Sequence, residues 1–334
     1  MSGTRRAVEL LYGRGSLSLT LDPAVGVWTV VEPIAVPPAD NPRPLFDRAI
    51  ADPIKSAPLA ELIEPDDRVV IVTSDGTRPV PNHQLVPWLL DVLPVPEEQV
   101  TVLIGTGSHR ANTPAEIDEM FGADVARRIR IINHDAFAPA ACAPLGQTPS
   151  GMDVELNRAY LEADKRIVLG FIEPHVLAGF SGGAKGVFPA VASIRSIRQF
   201  HSYQRVGDPL SVYGNLENNP TRDATLEATA LAPPDFLVNV TLGTGKRIAD
   251  VFAGHYVDAH LEGCRAARRS CMATVPRRYP VVLASNSGAP LDQNLYQCVK
   301  AITVGDLIVE RGGTLIIVAE CKDGLGGSGN YREI

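Results

Sequence analysis

The residues of this chain that could do chemistry fall at regular places. Four apolar, β-branched runs, DRVVIVTSD (67–75), QVTVLIGTGSHR (99–110), RIRIINHDA (128–136) and KRIVLGFIEPH (165–175), each end abruptly in polar or Gly-rich residues. They deliver Asp75 and Arg78, His109 and Arg110, His134 and Asp135, and Glu173 and His175. Histidine titrates near neutrality and can give or take a proton. Its recurrence at equivalent strand ends marks His109 and His175 as functional candidates and leaves His134 open between a site and a structural role. His83, His255 and His260 lack this pattern and read as structural or surface residues.

Just after the fourth run comes GFIEPHVLAGFSGGAKGVFPAV (170–191), in which Lys185 stands among small residues. It is not a P-loop, because the second Gly and the hydroxyl after the Lys of G-x-x-x-x-G-K-[ST] are missing, and GTGSHR lacks the third Gly of a dinucleotide fingerprint. Ser181, Gly182 and Gly183 nevertheless offer backbone N–H groups that a phosphate or a flat ring could approach. A lysine desolvated in such a loop becomes a nucleophile. In SIRSIRQFHSYQ, Ile194, Ile197 and His201 share one helix face, so His201 is expected to point inward, as a core histidine or as a rigidly held metal ligand. The fork of Arg78 suits a carboxylate. Gln297 and Lys300, spaced i, i+3, would face the same way on a helix.

Such residues need a scaffold. Strands alternate with helical patterns such as NHQLVPWLLDVL and TPAEIDEMFG, the latter opened by Thr113 with Pro114 and Glu116 in capping-box positions. That alternation predicts an α/β fold: a Rossmann-like, mostly parallel sheet with helices on both faces, whose ligands bind beyond the carboxyl ends of the strands. At 334 residues the chain exceeds what one core comfortably fills, so two lobes are expected. The boundary is placed at 276/277, with residues 1–276 as the larger cofactor-binding domain. Residues 277–334, with RRYPVVLASNSGAP and GGTLIIVAEC, would begin a smaller α/β domain. Pro-rich 30–44 reads as an extended surface segment, and Gly-rich 323–334 as a mobile end.

Composition excludes several classes. A net charge of −7 argues against nucleic acid as the partner, and favours small molecules. No apolar run reaches the ~20 residues of a membrane span, and the first residues lack a signal-peptide core, which points to the cytoplasm. Five scattered cysteines without a C-x-x-C pair suggest neither a disulfide framework nor a thiolate zinc site.

Taken together, SDGTRPVP, GTGSHR, GFIEPHVLAGFSGGAKGVFPAV, His201 and PLDQNLYQCVK resemble the lactate racemase family, and the likeness extends to LLYGRGSLSLTLD and RAIADPIKSAPLAELIEPDDRVVIV. The resemblance implies a 2-hydroxy-acid racemase or epimerase using a nickel-pincer nucleotide, a pyridinium mononucleotide with two sulfur-bearing arms. By that likeness Lys185 matches the lysine joined to the cofactor and His201 the nickel ligand. His109 and His175 match the acid/base pair. Arg78 and Lys300 match the carboxylate-binding cations, and Asp75 and Gln297 match polar residues of the same pocket. The cofactor-making enzymes would be partners in maturation. The family commonly continues beyond the passage matching CKDGLGGSG, which makes the second domain here shorter than its relatives'.

Two other readings compete. His109, His175 and His201 could ligate zinc in a hydrolase, since three protein ligands plus water is the usual catalytic arrangement. Alternatively, a shortened chain could bind the cofactor without turnover.

Overall fold

The runs of Val and Ile that dominate the sequence become the middle of a sheet. In a computed structural model that describes residues 4–32 and 34–326, strands β1 (Arg6–Tyr12) and β2 (Gly15–Leu21) form an N-terminal hairpin. Then follow β3 (Val69–Ser74), β4 (Val100–Gly105), β5 (Arg130–Asn133), the hairpin β6 (Cys142–Gln147) and β7 (Asp153–Asn157), and β8 (Lys165–Phe171). Next are two-residue β9 (Pro174–His175) and β10 (Gly179–Phe180), then β11 (Phe236–Leu242), β12 (Ile248–Gly254), β13 (Tyr279–Ser285) and β14 (Val309–Val318).

Six of these make the main sheet in the order β12-β11-β8-β3-β4-β5. All neighbours are parallel except β12, which returns antiparallel along β11 at one edge. Alternate residues of each strand enter opposite cores. Val69 and Ile71 join a cluster with Phe46, Leu85, Leu89 and Phe121, while Val70 and Val72 join Tyr160, Phe188, Phe200 and Ala228. Helices therefore cover both faces, as continuous buried strands require. One covering helix, Pro114–Phe121, has the expected capping box, with Glu116 N–H on Thr113 Oγ1 and Thr113 N–H on the Glu116 carboxylate.

The chain divides into two compact units, Ile34–Met272 and Met1–Pro33 with Ala273–Ile334. Pairing thus assigns the first residues, read from sequence with the larger domain, to the smaller unit. The tie is local chemistry: Gly13, at φ 53°, donates its N–H to the Asp292 carboxylate (2.7 Å), accepts from Ala289 N–H (2.7 Å), and packs against Glu320 where a Cβ would stand 2.7 Å from the carboxyl carbon. In this unit β13 and β14 pair in parallel around the helix Leu295–Asp306, a β-α-β crossover. Of the Gly-rich end, residues 327–334 lie outside the described residues, whereas 321–325 are pinned to the start of that helix, with Leu295 N–H on Gly324 O (3.0 Å) and Tyr296 N–H on Leu325 O (3.1 Å). The extended segment near 30–44 is likewise anchored, Ala39 N–H reaching Ile248 O (2.9 Å).

Candidate active site

The sheet order locates a crevice in the larger unit. From β3 the chain moves outward through β4 and β5, then β8 is laid on the other side of β3. The strand order reverses between β3 and β8, and at such a switch point the loops beyond the carboxyl ends part to leave a binding crevice. Asp75 and Arg78 leave β3 there, His109 leaves β4, and His175 and the Lys185 loop follow β8.

Asp75 is 5% exposed and faces His109, whose Nδ1 lies 2.6 Å from its Oδ2. Burial alone would raise the Asp75 pKa, but the bond and charge of His109, the Thr77 hydroxyl (2.6 Å) and the Arg78 charge together lower it. The group is then an ionised acceptor, so the shared proton sits on His109 Nδ1 and the neutral ring keeps its lone pair on Nε2. His175 is held in the opposite sense. Its Nδ1 accepts the backbone N–H groups of Leu177 and Ala178, both at 3.2 Å, which leaves the proton on Nε2.

Lys185 sits in a one-turn 3-10 segment, Gly183–Gly186. The residue is half-buried with its amine at the enclosed end. Desolvation first and the Arg78 charge second lower its pKa to about 8. Among the described residues no carboxylate pairs with it, so a sizeable neutral fraction exists near physiological pH. The loop around it is tied down from three elements: Gly183 N–H to Asn239 Oδ1 on β11 (2.8 Å), His260 Nε2 to Ser181 O (2.8 Å), and Thr229 Oγ1 to Ala184 O (3.2 Å). The glycines serve this packing. A Cβ on Gly182 would meet Asn239 Oδ1 at 2.5 Å, and one on Gly183 would meet the His260 ring at 2.6 Å. Ser181 spends its hydroxyl on Phe171 O (2.9 Å) and on Glu173 N–H (3.0 Å).

His201 departs from the inward orientation expected of it. The helix Ile194–Phe200 ends one residue earlier, so Phe200 is buried while His201, at the C-cap, is exposed as a residue. Its ring packs edge-on against Phe200, with Nδ1 donating to Ile197 O (3.0 Å), which leaves the Nε2 lone pair for a ligand. Protein crowding on the inner side of the ring, then the Lys185 and Arg205 charges, lower its pKa and keep it neutral. Charge thus links these groups in sequence, Lys185 acting on His201, and Arg78 acting on both Lys185 and Asp75.

The sequence matches the lactate racemase N-terminal domain over residues 12–212 and the lactate racemase C-terminal domain over 276–334. A lactate racemase of Thermoanaerobacterium thermosaccharolyticum is 38% identical over 97% of this chain and 77% of its own length, and one of Lactiplantibacillus plantarum is 37% identical over 86% and 68%. This chain belongs to the lactate racemase family. Its fold agrees: the apoprotein structure of the T. thermosaccharolyticum enzyme superposes with a TM-score of 0.86 at 36% identity, covering 98% of this chain and 77% of the other. A Thermotoga maritima protein at 22% identity and TM-score 0.60, covering 71% of this chain and 62% of its own, shares the fold. The protein is accordingly an isomerase of the racemase type.

Within this racemase-family chain the remaining candidates sort as follows. Gln297 and Lys300 lie in the smaller unit and share a helix face as their spacing required, Lys300 Nζ donating to Gln297 Oε1 (2.7 Å). His134, the undecided strand-end histidine, is buried in the protein's own network, Nε2 to Ala192 O (2.8 Å) and Nδ1 to Asn157 Nδ2 (2.9 Å); burial lowers its pKa. His260, read as structural or surface, is buried and holds the Lys185 loop, and burial lowers its pKa to about 4. Asn239, fully buried on a central strand, escaped the reading of the sequence; an Asn amid Phe-Leu-Val and Val-Thr-Leu was the available signal. Among the described residues no helix is long and apolar enough to cross a membrane.

Proposed function

We propose that the protein interconverts the enantiomers or epimers of a 2-hydroxy acid, lactate or a larger analogue, in the cytoplasm, with a nickel-pincer nucleotide joined to Lys185. The observation that carries this reading is Lys185 itself, a desolvated amine with a pKa near 8 and no carboxylate partner among the described residues. An ammonium ion cannot form the amide-like bond that a thioamide link needs, and a neutral amine can. The residues fit the group in a second way. A pincer supplies most of the nickel coordination itself and asks the protein for one imidazole, which His201 offers through Nε2. The zinc reading needs three side chains, and among the described residues no group of three His, Cys, Asp or Glu is arranged to hold an ion.

When bound, the cofactor supplies a hydride acceptor and donor for C2 of the substrate. The chain's own residues do the rest. Arg78, projecting from the switch-point loop, pairs with the substrate carboxylate. His109, with its Nε2 lone pair, takes the hydroxyl proton, and the imidazolium that forms is stabilised through Nδ1 by ionised Asp75. His175 serves the opposite enantiomer as the second base, and the oxygen of the 2-keto acid held in the site takes its proton back from whichever ring is then an imidazolium, which is left neutral. Cofactor-making enzymes are partners in maturation, and a small-molecule acid is the substrate.

The test is nickel content and intact denatured mass on protein produced with those enzymes, followed by assay on enantiopure 2-hydroxy acids. One nickel per chain, an adduct mapped to Lys185, its loss in Lys185→Ala, and interconversion of at least one acid are expected. Absence of both nickel and adduct in folded protein overturns the cofactor assignment. Full loading without interconversion of any acid favours the non-catalytic, cofactor-binding reading.

A further inference from the structure

The five cysteines look unrelated in sequence, yet the fold brings two together in the smaller unit. Cys298, on the first turns of the helix Leu295–Asp306, lies with its Sγ 3.7 Å from that of Cys321, just after β14. We propose that Cys298 and Cys321 are a redox modification site, closing reversibly to an intrachain disulfide when a hydroperoxide or a low-molecular-weight disulfide such as oxidised glutathione is present.

Three observations support this. The backbone already holds the two stretches in register: Cys321 N–H bonds Asp292 O (2.9 Å), Asp323 N–H bonds Gln293 O (2.8 Å), and Gly324 O and Leu325 O accept from Leu295 and Tyr296. Joining the sulfurs therefore closes a 3.7 Å gap between two stretches that the backbone already holds together. The two thiols also differ in access. Cys321 is partly exposed, while Cys298 is 1% exposed and bonded to Asn294 O (3.4 Å). Burial, then its thiol neighbour and the Asp292 carboxylate, hold the Cys298 thiol well above the usual range. Finally, Cys298 is two residues from Lys300, whose charge it feels.

The order of events follows. The Cys321 thiolate attacks a peroxide oxygen, giving a sulfenic acid as the O–O bond breaks. The Cys298 sulfur then attacks the Cys321 sulfur, the S–S bond forms, the S–OH bond breaks, and hydroxide leaves as water with the Cys298 proton. Two thiols are oxidised by two electrons and one peroxide is reduced. With oxidised glutathione, Cys321 first exchanges to a mixed disulfide and Cys298 releases glutathione. The bond fastens the start of the helix that carries Gln297 and Lys300 to the loop beside it.

The experiment treats the full chain with hydrogen peroxide or, separately, oxidised glutathione, and reads intact mass and disulfide-mapped peptides. Exposed Cys271 serves as the internal control for reagent access. The expected result is a loss of two hydrogens per chain, a peptide joining positions 298 and 321, and recovery with dithiothreitol. Cys298→Ser should leave Cys321 as a persistent glutathione adduct, whereas Cys321→Ser should leave Cys298 unmodified. Modification of Cys271 while Cys298 and Cys321 stay thiols, or separate adducts on both without a cross-link, would overturn the proposal.

Discussion

Beyond β4 an imidazole donates a hydrogen bond from Nδ1 to a buried carboxylate, and beyond β8 another accepts two backbone N–H groups on the same atom. His109 and His175 are the same side chain in equivalent topological positions, yet their surroundings fix opposite tautomers. In its neutral form the first ring has its lone pair on Nε2, and the second has its proton there. The difference comes from what each loop presents: a side-chain anion in one case, a tight turn of main-chain donors in the other. The comparison also implies an asymmetry in turnover. For a pair of enantiomers the equilibrium constant is one, so kcat/KM must be equal in the two directions, and unequal resting states show only in kcat and KM taken separately.

Removing either ring breaks the comparison outright. His109→Ala and His175→Ala should each lower kcat about 10²–10⁴-fold, the range of a lost acid or base, with nickel content and the Lys185 adduct retained. Loss of nickel in either variant would make that histidine a ligand instead. Asp75→Asn is the sharper experiment. It keeps the shape but removes the charge that fixes the His109 tautomer, and a fall in kcat of about 10–100-fold is expected, since charge-assisted hydrogen bonds are worth about 1.5–3 kcal/mol. The His175 side should be untouched, so the ratio of kcat values for the two enantiomers should change. An unchanged ratio would mean that Asp75 acts on the pocket as a whole. The sign of the pH effect follows from the lowered Asp75 pKa. The dyad stabilises the fold above the unfolded carboxylate value of about 3.9 and loses that contribution as pH falls through the lower folded value. Acid denaturation of Asp75→Asn should therefore be less steep than that of the parent, by urea titration at a series of pH values.

How much of this was visible before the fold was known depends on the range of the interaction. Parallel strands read as runs of Val and Ile, so β3, β4 and β8, buried on both faces, and the edge strand β5 were legible, and with them the residues that each delivers. Orientation was not. His134 leaves its strand as His109 does but turns inward to Asn157 and Ala192, partners that no local pattern connects to it. His201 was misplaced by the length of one residue, because a helix that stops at Phe200 frees the next side chain from its face. The carboxylate of Asp292 and the N–H of Gly13 are 279 positions apart, so no local pattern could group the first strands with the last elements as their contacts do. Asn239 and His260 do their work through contacts made only when three elements converge on the Lys185 loop.

The smallest expected effect tests the finest part of the comparison. Asp75 receives three bonds, one from His109 on Oδ2 and two on Oδ1, from the Thr77 hydroxyl at 2.6 Å and the Thr77 N–H at 3.2 Å. If the carboxylate must be ionised to hold the His109 proton on Nδ1, then removing the hydroxyl donor should weaken that hold without abolishing it. Thr77→Val keeps the volume, deletes the hydroxyl, and should cost about 0.5–1.5 kcal/mol, the net value of one hydrogen bond. With the Thr77 hydroxyl bond gone, the Asp75 pKa moves up, because one of the opposing influences on a buried acid is lost. Nitrogen-15 chemical shifts of the His109 ring should show Nδ1 protonated in both proteins, with the Asp75 titration shifted upward in the variant and the His175 ring unchanged. A His109 ring whose shifts match those of His175 in the parent would mean that both imidazoles share one tautomer, and the contrast drawn between them would fail.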